Sequence, residues 1–152
     1  MSAIVLRTDG GSRGNPGPAG AGFLIEQDGA TICGAGRFLG VVTNNVAEYE
    51  ALIWGLENVQ ALGAREVTVY ADSELLVRQV NGRYRVKNEG LKPLHARVLS
   101  LLAHFDRFAV IHVRREQNAH ADELANQAMD EGTIVGNPVC PPGGSAQQTS
   151  LF

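Results

Sequence analysis

The sequence has few of the features that would mark a secreted, membrane-spanning or disordered chain. Its 152 residues hold only two cysteines, Cys33 and Cys140, far apart, with no CxxC pair and no histidine at zinc-ligand spacing. That pattern excludes a zinc site and leads to an expectation of reduced thiols, with a disulfide tying the end of the chain to its body as the alternative. No run of about 18 apolar residues is present, so no membrane-spanning helix is expected. Met1–Leu6 pass straight into a strand-like pattern without the basic and apolar regions of a signal peptide, and a cytoplasmic address is expected. Charge of one sign is not in excess either. The 13 Lys and Arg against 16 Asp and Glu leave a net charge of −3, which argues against coating a polyanion by bulk electrostatics.

What is present fits one folded domain, since 44% of residues are hydrophobic and 19% charged. The charge is unevenly placed. Arg78, Arg83, Arg85, Lys87, Lys92 and Arg97 face the single acid Glu89 within twenty residues, a basic face suited to local docking of a polyanion. Residues 131–152 read as a flexible Gly/Pro/Ser/Gln-rich tail, and from Gly132 onward it has no charged residue. The folded unit is therefore expected over residues 1–130.

Periodicity predicts the elements in turn. Ile4–Thr8 reads as a strand ending at Asp9 in a Gly-rich loop, and Ala21–Gln27 and Thr31–Leu39 read as a hairpin across Asp28-Gly29. Val46–Leu62 places apolar residues at steps of three and four, with Asn44 or Asn45 as its cap and Gly63 as its stop. Glu66–Ala71 is a strand, Asp72-Ser73 leads into a helix that Asn81-Gly82 breaks, and Leu91–Phe105 is a second amphipathic stretch. A strand over Ala109–Val113 and a helix capped by Asn118 and running through Met129 complete the order. The fold expected is α/β: a five-stranded mixed sheet with helices on both faces.

Four carboxylates fall at strand ends or helix starts: Asp9, Glu48, Asp72 and Asp122. Each has a structural explanation. Asp72 suits an N-cap, Glu48 a capping box with Asn45, and Asp122 the positive end of a helix dipole. Together they suit a different purpose, because carboxylates converging over one rim of an α/β sheet repel unless a cation neutralises them. Oxygen-only donors select a hard ion, Mg²⁺ or Mn²⁺.

The segments Thr8–Gly17 (TDGGSRGNPG), Thr43–Glu48 (TNNVAE), Ala71–Ser73 (ADS) and Asn118–Ala125 (NAHADELA) resemble, in order, the four motifs of type 1 ribonuclease H, particularly its compact archaeal-like or reverse-transcriptase-like branch. The resemblance implies a ribonuclease H-like fold and an endonuclease cutting the RNA strand of RNA·DNA hybrids. Asp9, Glu48, Asp72 and Asp122 then match the family's ligands for two ions roughly 3.5–4 Å apart, and the products carry 5′-phosphate and 3′-hydroxyl ends. It also implies substrate contacts by Gly10, Gly11 and Ser12 through the backbone, and by Asn15, Asn44 and Asn45 against the hybrid. The family's basic protrusion is missing here, because Val80–Asn88 (VNGRYRVKN) passes almost directly into the segment beyond it. Arg83, Arg85, Lys87 and Asn88, with Tyr84 among them, are the expected grip on the DNA strand. The loop before the last motif lacks a clean match to the family's mobile histidine, and Arg115 takes the phosphate-assisting role in this reading. A same-fold nuclease acting on double-stranded RNA or strand ends, or a non-catalytic hybrid-binding module, is the alternative. Gln148, Leu151 and Phe152 resemble a sliding-clamp-binding peptide, with anchoring to the body as the rival account. A monomer without membrane contact is expected.

Overall fold

The computed structural model describes residues 3–137. A mixed sheet runs through the middle, built from β1 (Ile4–Ser12), β2 (Gly17–Gln27), β3 (Ala30–Val42), β4 (Glu66–Ala71), β5 (Arg107–His112) and β6 (Ile134–Asn137) in the order β5-β4-β1-β2-β3-β6. The meander β1-β2-β3 is antiparallel, whereas β4 joins β1 and β5 joins β4 in parallel. Asp28 and Gly29 make the turn between β2 and β3 with φ of 53° and 80°, the left-handed pair that a two-residue hairpin needs. The sheet has six strands rather than the five expected. Ile134–Asn137 pairs with β3, so the first part of what composition marks as tail belongs to the sheet. Gly132, at φ 65°, ends the preceding helix in the left-handed conformation and turns the chain back toward β3.

Helices cover both faces, as expected, but in different ways. On one face lie α1 (Asn44–Ala61), α2 (Glu74–Val80) and α3 (Lys92–Leu102), enclosing a core of large side chains that includes Ile4, Leu6, Phe23, Ile25, Leu52, Leu56 and Leu101. Phe23 and Trp54 meet edge to face there, with ring centroids 4.8 Å apart. On the other face, α4 (Ala119–Glu131) packs through Ala121, Ala125 and Ala128, all buried. Beneath it the sheet presents Gly20, Gly22 and Gly36, where an added Cβ would strike the carbonyl groups of Ala121, Leu124 or Ala125. This interface is nearly backbone on backbone. It offers little apolar area, at about 0.8 kcal/mol per buried methylene, and polar ties supplement it. Asn118 Nδ2 donates to the Thr8 carbonyl at 2.6 Å, Arg7 Nη1 to the Gln117 carbonyl at 3.1 Å, and Arg13 pairs with Asp130 at 2.7 Å.

Several boundaries differ from the sequence reading for local reasons. Strand β1 continues through Gly10-Gly11-Ser12, because these residues pair with Ala19–Ala21 of β2, so Asp9 lies within a strand opposite Gly22. Thr43, not Asn44 or Asn45, caps α1, its Oγ1 accepting from Val46 N at 3.2 Å. Ser73 rather than Asp72 caps α2, accepting from Leu76 N at 3.2 Å. Asn118 occupies the cap position of α4, yet its amide goes to β1 and makes no cap hydrogen bond. Helix α3 ends at Leu102, β5 covers Arg107–His112, and α4 extends to Glu131. Cys33 is buried on β3 and engaged in a disulfide, against the expectation of a reduced thiol. Cys140 lies outside the described residues.

Candidate active site

The site forms where the sheet changes its pairing. Up to Thr8, β1 has β4 on one side and β2 on the other; β4 stops at Ala71, and Asp9–Ser12 continue with β2 alone. Helix α1 takes over the vacated side: Asn44 Oδ1 accepts from Ser12 N at 3.1 Å, and Asn15 Oδ1 accepts from Asn44 N at 3.1 Å. Gly10 makes this approach possible, because a Cβ there would collide with the Ala47 carbonyl in the first turn of α1. The bare backbone at Gly10 brings Glu48 in from one face. The bare backbone at Gly22 lets α4 bring Asp122 down on the other.

The result is a cavity of about 440 Å³ whose wall contains Asp9, Glu48, Asp72 and Asp122, with Gly10, Gly11, Ser12, Arg13, Asn44, Arg115, Asn126 and Met129 around them. Capping therefore does not account for Glu48 and Asp72, since Thr43 and Ser73 perform it; Asp122 does lie in the first turn of α4, and all four acids share one space. Burial and their proximity disfavour ionisation of two of them. Asp9 is 8% exposed, and its carboxyl is pushed up to about 9, chiefly by burial, then by hydrogen bonding to Asp122 and by the charge of Asp72. Burial raises Glu48 to about 7, with the Asp72 charge adding and the Ser73 hydroxyl opposing. Among the described residues, no three His, Cys, Asp or Glu donors are already drawn into a cage for an ion. The acids instead border an open space, which suits an ion that keeps waters and shares its coordination with substrate phosphate. The donor set fits Mg²⁺ or Mn²⁺: four carboxylates that offer oxygen alone, in excess of local positive charge, with no thiol or imidazole in the wall.

The other expected contacts divide. Gly10, Gly11, Ser12, Asn44 and Arg115 line the cavity, and Asn15 is joined to it through Asn44. Asn45 is not in its wall. Arg83 and Arg85 line a separate open groove with Gln79, Tyr84, Lys92 and His95. Lys87 and Asn88 are outside both walls, and the Asn88 side chain accepts from Gly90 N at 2.7 Å, closing the turn before α3. Gln148, Leu151 and Phe152 lie outside the described residues. The sequence reading missed Arg13, Asn126 and Met129. The last two were within reach, since they follow Asp122 by four and seven residues and so share its helical face.

The basic side chains show a pattern that no motif carries. Arg7, Arg13, Arg65, Arg78, Lys92, Arg97 and Arg107 each pair with an acid, and Arg37 lies over the Trp54 ring. Such surface pairs stabilise little. Their effect is to cancel charge over most of the surface. Among the described residues, Arg83, Arg85 and Lys87 after α2, with Arg114 and Arg115 before α4, have no acid partner. Uncompensated positive charge thus lies in the loop before α4, where Arg115 enters the carboxylate cavity, and in the segment after α2, where Arg83 and Arg85 line a separate groove.

Comparison with known proteins agrees with this geometry. Residues 7–128 match the reverse transcriptase-like family. The chain is 45% identical over 129 residues to the bifunctional protein Rv2228c of Mycobacterium tuberculosis, covering 84% of this chain but only 35% of that protein. It therefore spans about a third of the length of this curated relative. The crystal structure of RNase H1 from Halobacterium salinarum superposes with a TM-score of 0.83 at 37% identity, covering 86% of this chain and 99% of that one. LC11-RNase H1, solved in complex with an RNA/DNA hybrid, superposes with a TM-score of 0.80 at 46% identity, covering 84% and 97%. The fold is that of a ribonuclease H. The chain belongs to the type 1 ribonuclease H family, in its reverse transcriptase-like branch. Among the described residues, no helix is long and apolar enough to cross a membrane.

Proposed function

We infer that the protein is a divalent-metal-dependent endoribonuclease that cleaves the RNA strand of RNA·DNA hybrids. The observation that carries this reading is the convergence of Asp9, Glu48, Asp72 and Asp122 on one cavity, with the unpaired Arg115 in its wall. Bound Mg²⁺ or Mn²⁺, as a pair of ions, supplies activation of the attacking water and stabilisation of the leaving 3′ oxygen, giving 5′-phosphate and 3′-hydroxyl ends. The chain's own residues do the rest. The four carboxylates hold the ions, and the Asn118 bond to Thr8 together with the glycine floor under α4 fixes Asp122 relative to Asp9. Gly10 and Gly11 expose backbone to the RNA sugar edge, where 2′-hydroxyls distinguish RNA from DNA. Asn44, held by Ser12 and Asn15, borders the same edge. Arg115 lies in the wall to engage a phosphate, and Arg83 and Arg85 grip the DNA strand in their groove beside Tyr84. The protein would act as a monomer in the cytoplasm.

The deciding assay offers matched hybrid, RNA duplex and DNA duplex, each with Mg²⁺ and with Mn²⁺. Cleavage of the hybrid's RNA strand is expected. Cleavage of the RNA duplex alone would shift the assignment to a double-strand ribonuclease, and tight hybrid binding without turnover would make the protein a binding module. Replacing both Arg83 and Arg85 with Ala should raise KM for hybrid with kcat kept, and lower the slope of log affinity against log salt by roughly one to two, about 0.9 per lost phosphate contact. Loss of kcat with an unchanged salt slope would remove these residues from the grip. Gln148, Leu151 and Phe152 make a second proposal, that of a clamp-binding peptide. Deleting residues 148–152 should abolish calorimetrically measured binding to a sliding clamp while hybrid cleavage and melting temperature stay unchanged. A lowered midpoint without clamp affinity in the intact chain would make the segment an anchor.

A further inference from the structure

A second cavity, of about 230 Å³, is walled by Glu74, Val77, Arg78, Asn81, Arg83 and His112. Its position follows from the sheet register. Ala71, the residue before Asp72, pairs with His112, so the end of β5 lies one strand beyond the end of β4, a step of about 5 Å. A nucleic-acid strand laid over Asp72 and continued past the sheet edge passes over His112 next.

The walls are held in place by the protein itself. Asn81 Nδ2 donates to the Val110 carbonyl at 3.0 Å and ties the end of α2 to β5. Arg78 gives Nε and Nη2 to Glu74 at 3.2 and 2.9 Å and lies 5.3 Å from the Tyr84 ring centroid, which fixes its guanidinium while its other edge donates to no described residue. The Arg83 backbone N–H donates to the Arg78 carbonyl at 2.8 Å, rooting a side chain that has no acid of its own. Glu74 is the one acid in this wall, and its charge is answered by the two hydrogen bonds from Arg78. What remains is a space bordered by Arg78, Arg83 and His112, all of which can donate. Val77 alone supplies apolar wall. Such a lining suits an anionic oxygen and offers little to a cation or a hydrocarbon.

We propose that this cavity is a phosphodiester subsite, holding the RNA strand outside the scissile bond through His112, Arg78 and Arg83. It rests on the hybrid-cleaving function above and adds a contact on the far side of Asp72. Arg83 lines this cavity and the groove containing Arg85 and Lys92, so it is a ridge between two anion-binding channels. A duplex presents two phosphate rails, and a ridge with donors on both sides meets both. His112 is exposed at the strand end, so its replacement leaves the core intact.

The test compares wild type and His112→Ala on a set of hybrids, each carrying one neutral methylphosphonate linkage at a successive position. On the unmodified hybrid, His112→Ala should raise KM about 3- to 10-fold at unchanged kcat and melting temperature, because the contact is remote from the bond that breaks. His112→Asn, which keeps a donor, should recover part of the loss. One RNA linkage should raise the wild-type KM by a similar factor and have no further effect in His112→Ala, the non-additivity of groups that touch. Coupling to a DNA linkage instead, or to none, overturns the subsite. A chain that cleaves no hybrid overturns the function together with the subsite, whereas cleavage without coupling overturns the subsite alone.

Discussion

Asp9→Asn removes hybrid cleavage, by at least ~10²–10³-fold as for loss of a central electrostatic group, and raises the melting temperature of the metal-free protein. Both effects have one cause. Without metal, the folded state holds the Asp9 carboxyl protonated up to about 9, whereas the unfolded chain releases that proton near 3.8. The folded state therefore binds more protons across this window, and its stability falls as pH rises through it. Asparagine is neutral at every pH and carries no such penalty. At neutral pH the gain is on the order of 2–4 kcal/mol, or roughly 5–10 °C for a domain of this size. Divalent metal reverses the sign for wild type, because it favours the ionised carboxylates and displaces their protons. The midpoint gain from Mg²⁺ or Mn²⁺ should thus grow between about pH 5 and pH 8 in wild type and be largely absent in Asp9→Asn. Thermal melts across that range, with and without metal, check this beside the cleavage assay. Wild-type turnover in the variant would remove Asp9 from the site, and a collapsed midpoint would make it a structural residue.

Gly22→Ala should be equally damaging to turnover, although residue 22 carries no functional group. Its Cβ would enter the Ala121 carbonyl, with the Ala125 amide and the Leu124 side chain close behind, so α4 must rise from the sheet. Overpacking of this kind costs about 1–3 kcal/mol. The larger effect is on geometry. Gly22 is paired with Asp9, and Ala121 immediately precedes Asp122, so the displaced helix separates the two carboxylates directly. A misplacement near 1 Å is enough to reduce turnover about 100-fold. Gly63→Ala supplies the control, because Gly63 has φ 80° and open space around it. It should lose about 1 kcal/mol through backbone strain alone, with kcat unchanged. If the two variants lose stability equally and both keep kcat, the glycine floor does not position Asp122.

Much of the molecule was legible along the chain because its signals are local. Alternation and an Asp-Gly turn mark the hairpin, apolar steps of three and four mark α1, and the order of elements with four motifs indicates the family and the carboxylates. These follow from residue type and near-neighbour geometry, which a linear sequence contains in full. The helix caps were misplaced by one or two residues, since Thr43, Asn44, Asn45, Asp72 and Ser73 are all competent caps and tertiary contacts choose among them. Asn44 and Asp72 were taken by the site, leaving Thr43 and Ser73 to close the helices. The sixth strand was hidden because Ile134–Asn137 is short and lies in a polar, glycine-rich stretch, and only the open edge of β3 gives it a partner. The functions of the glycines and of the unpaired arginines were equally out of reach. Gly22 matters because α4 crosses above it, and Arg83 is uncompensated because Glu74, the acid in its cavity wall, is paired with Arg78. The sequence by itself determined five of the six strands, the helices, the family and the places of the four acids along the chain, through signals spanning a few residues. The tertiary structure alone decided how closely those acids approach and which charges are left uncancelled, because both depend on distances between segments more than a hundred residues apart in the chain.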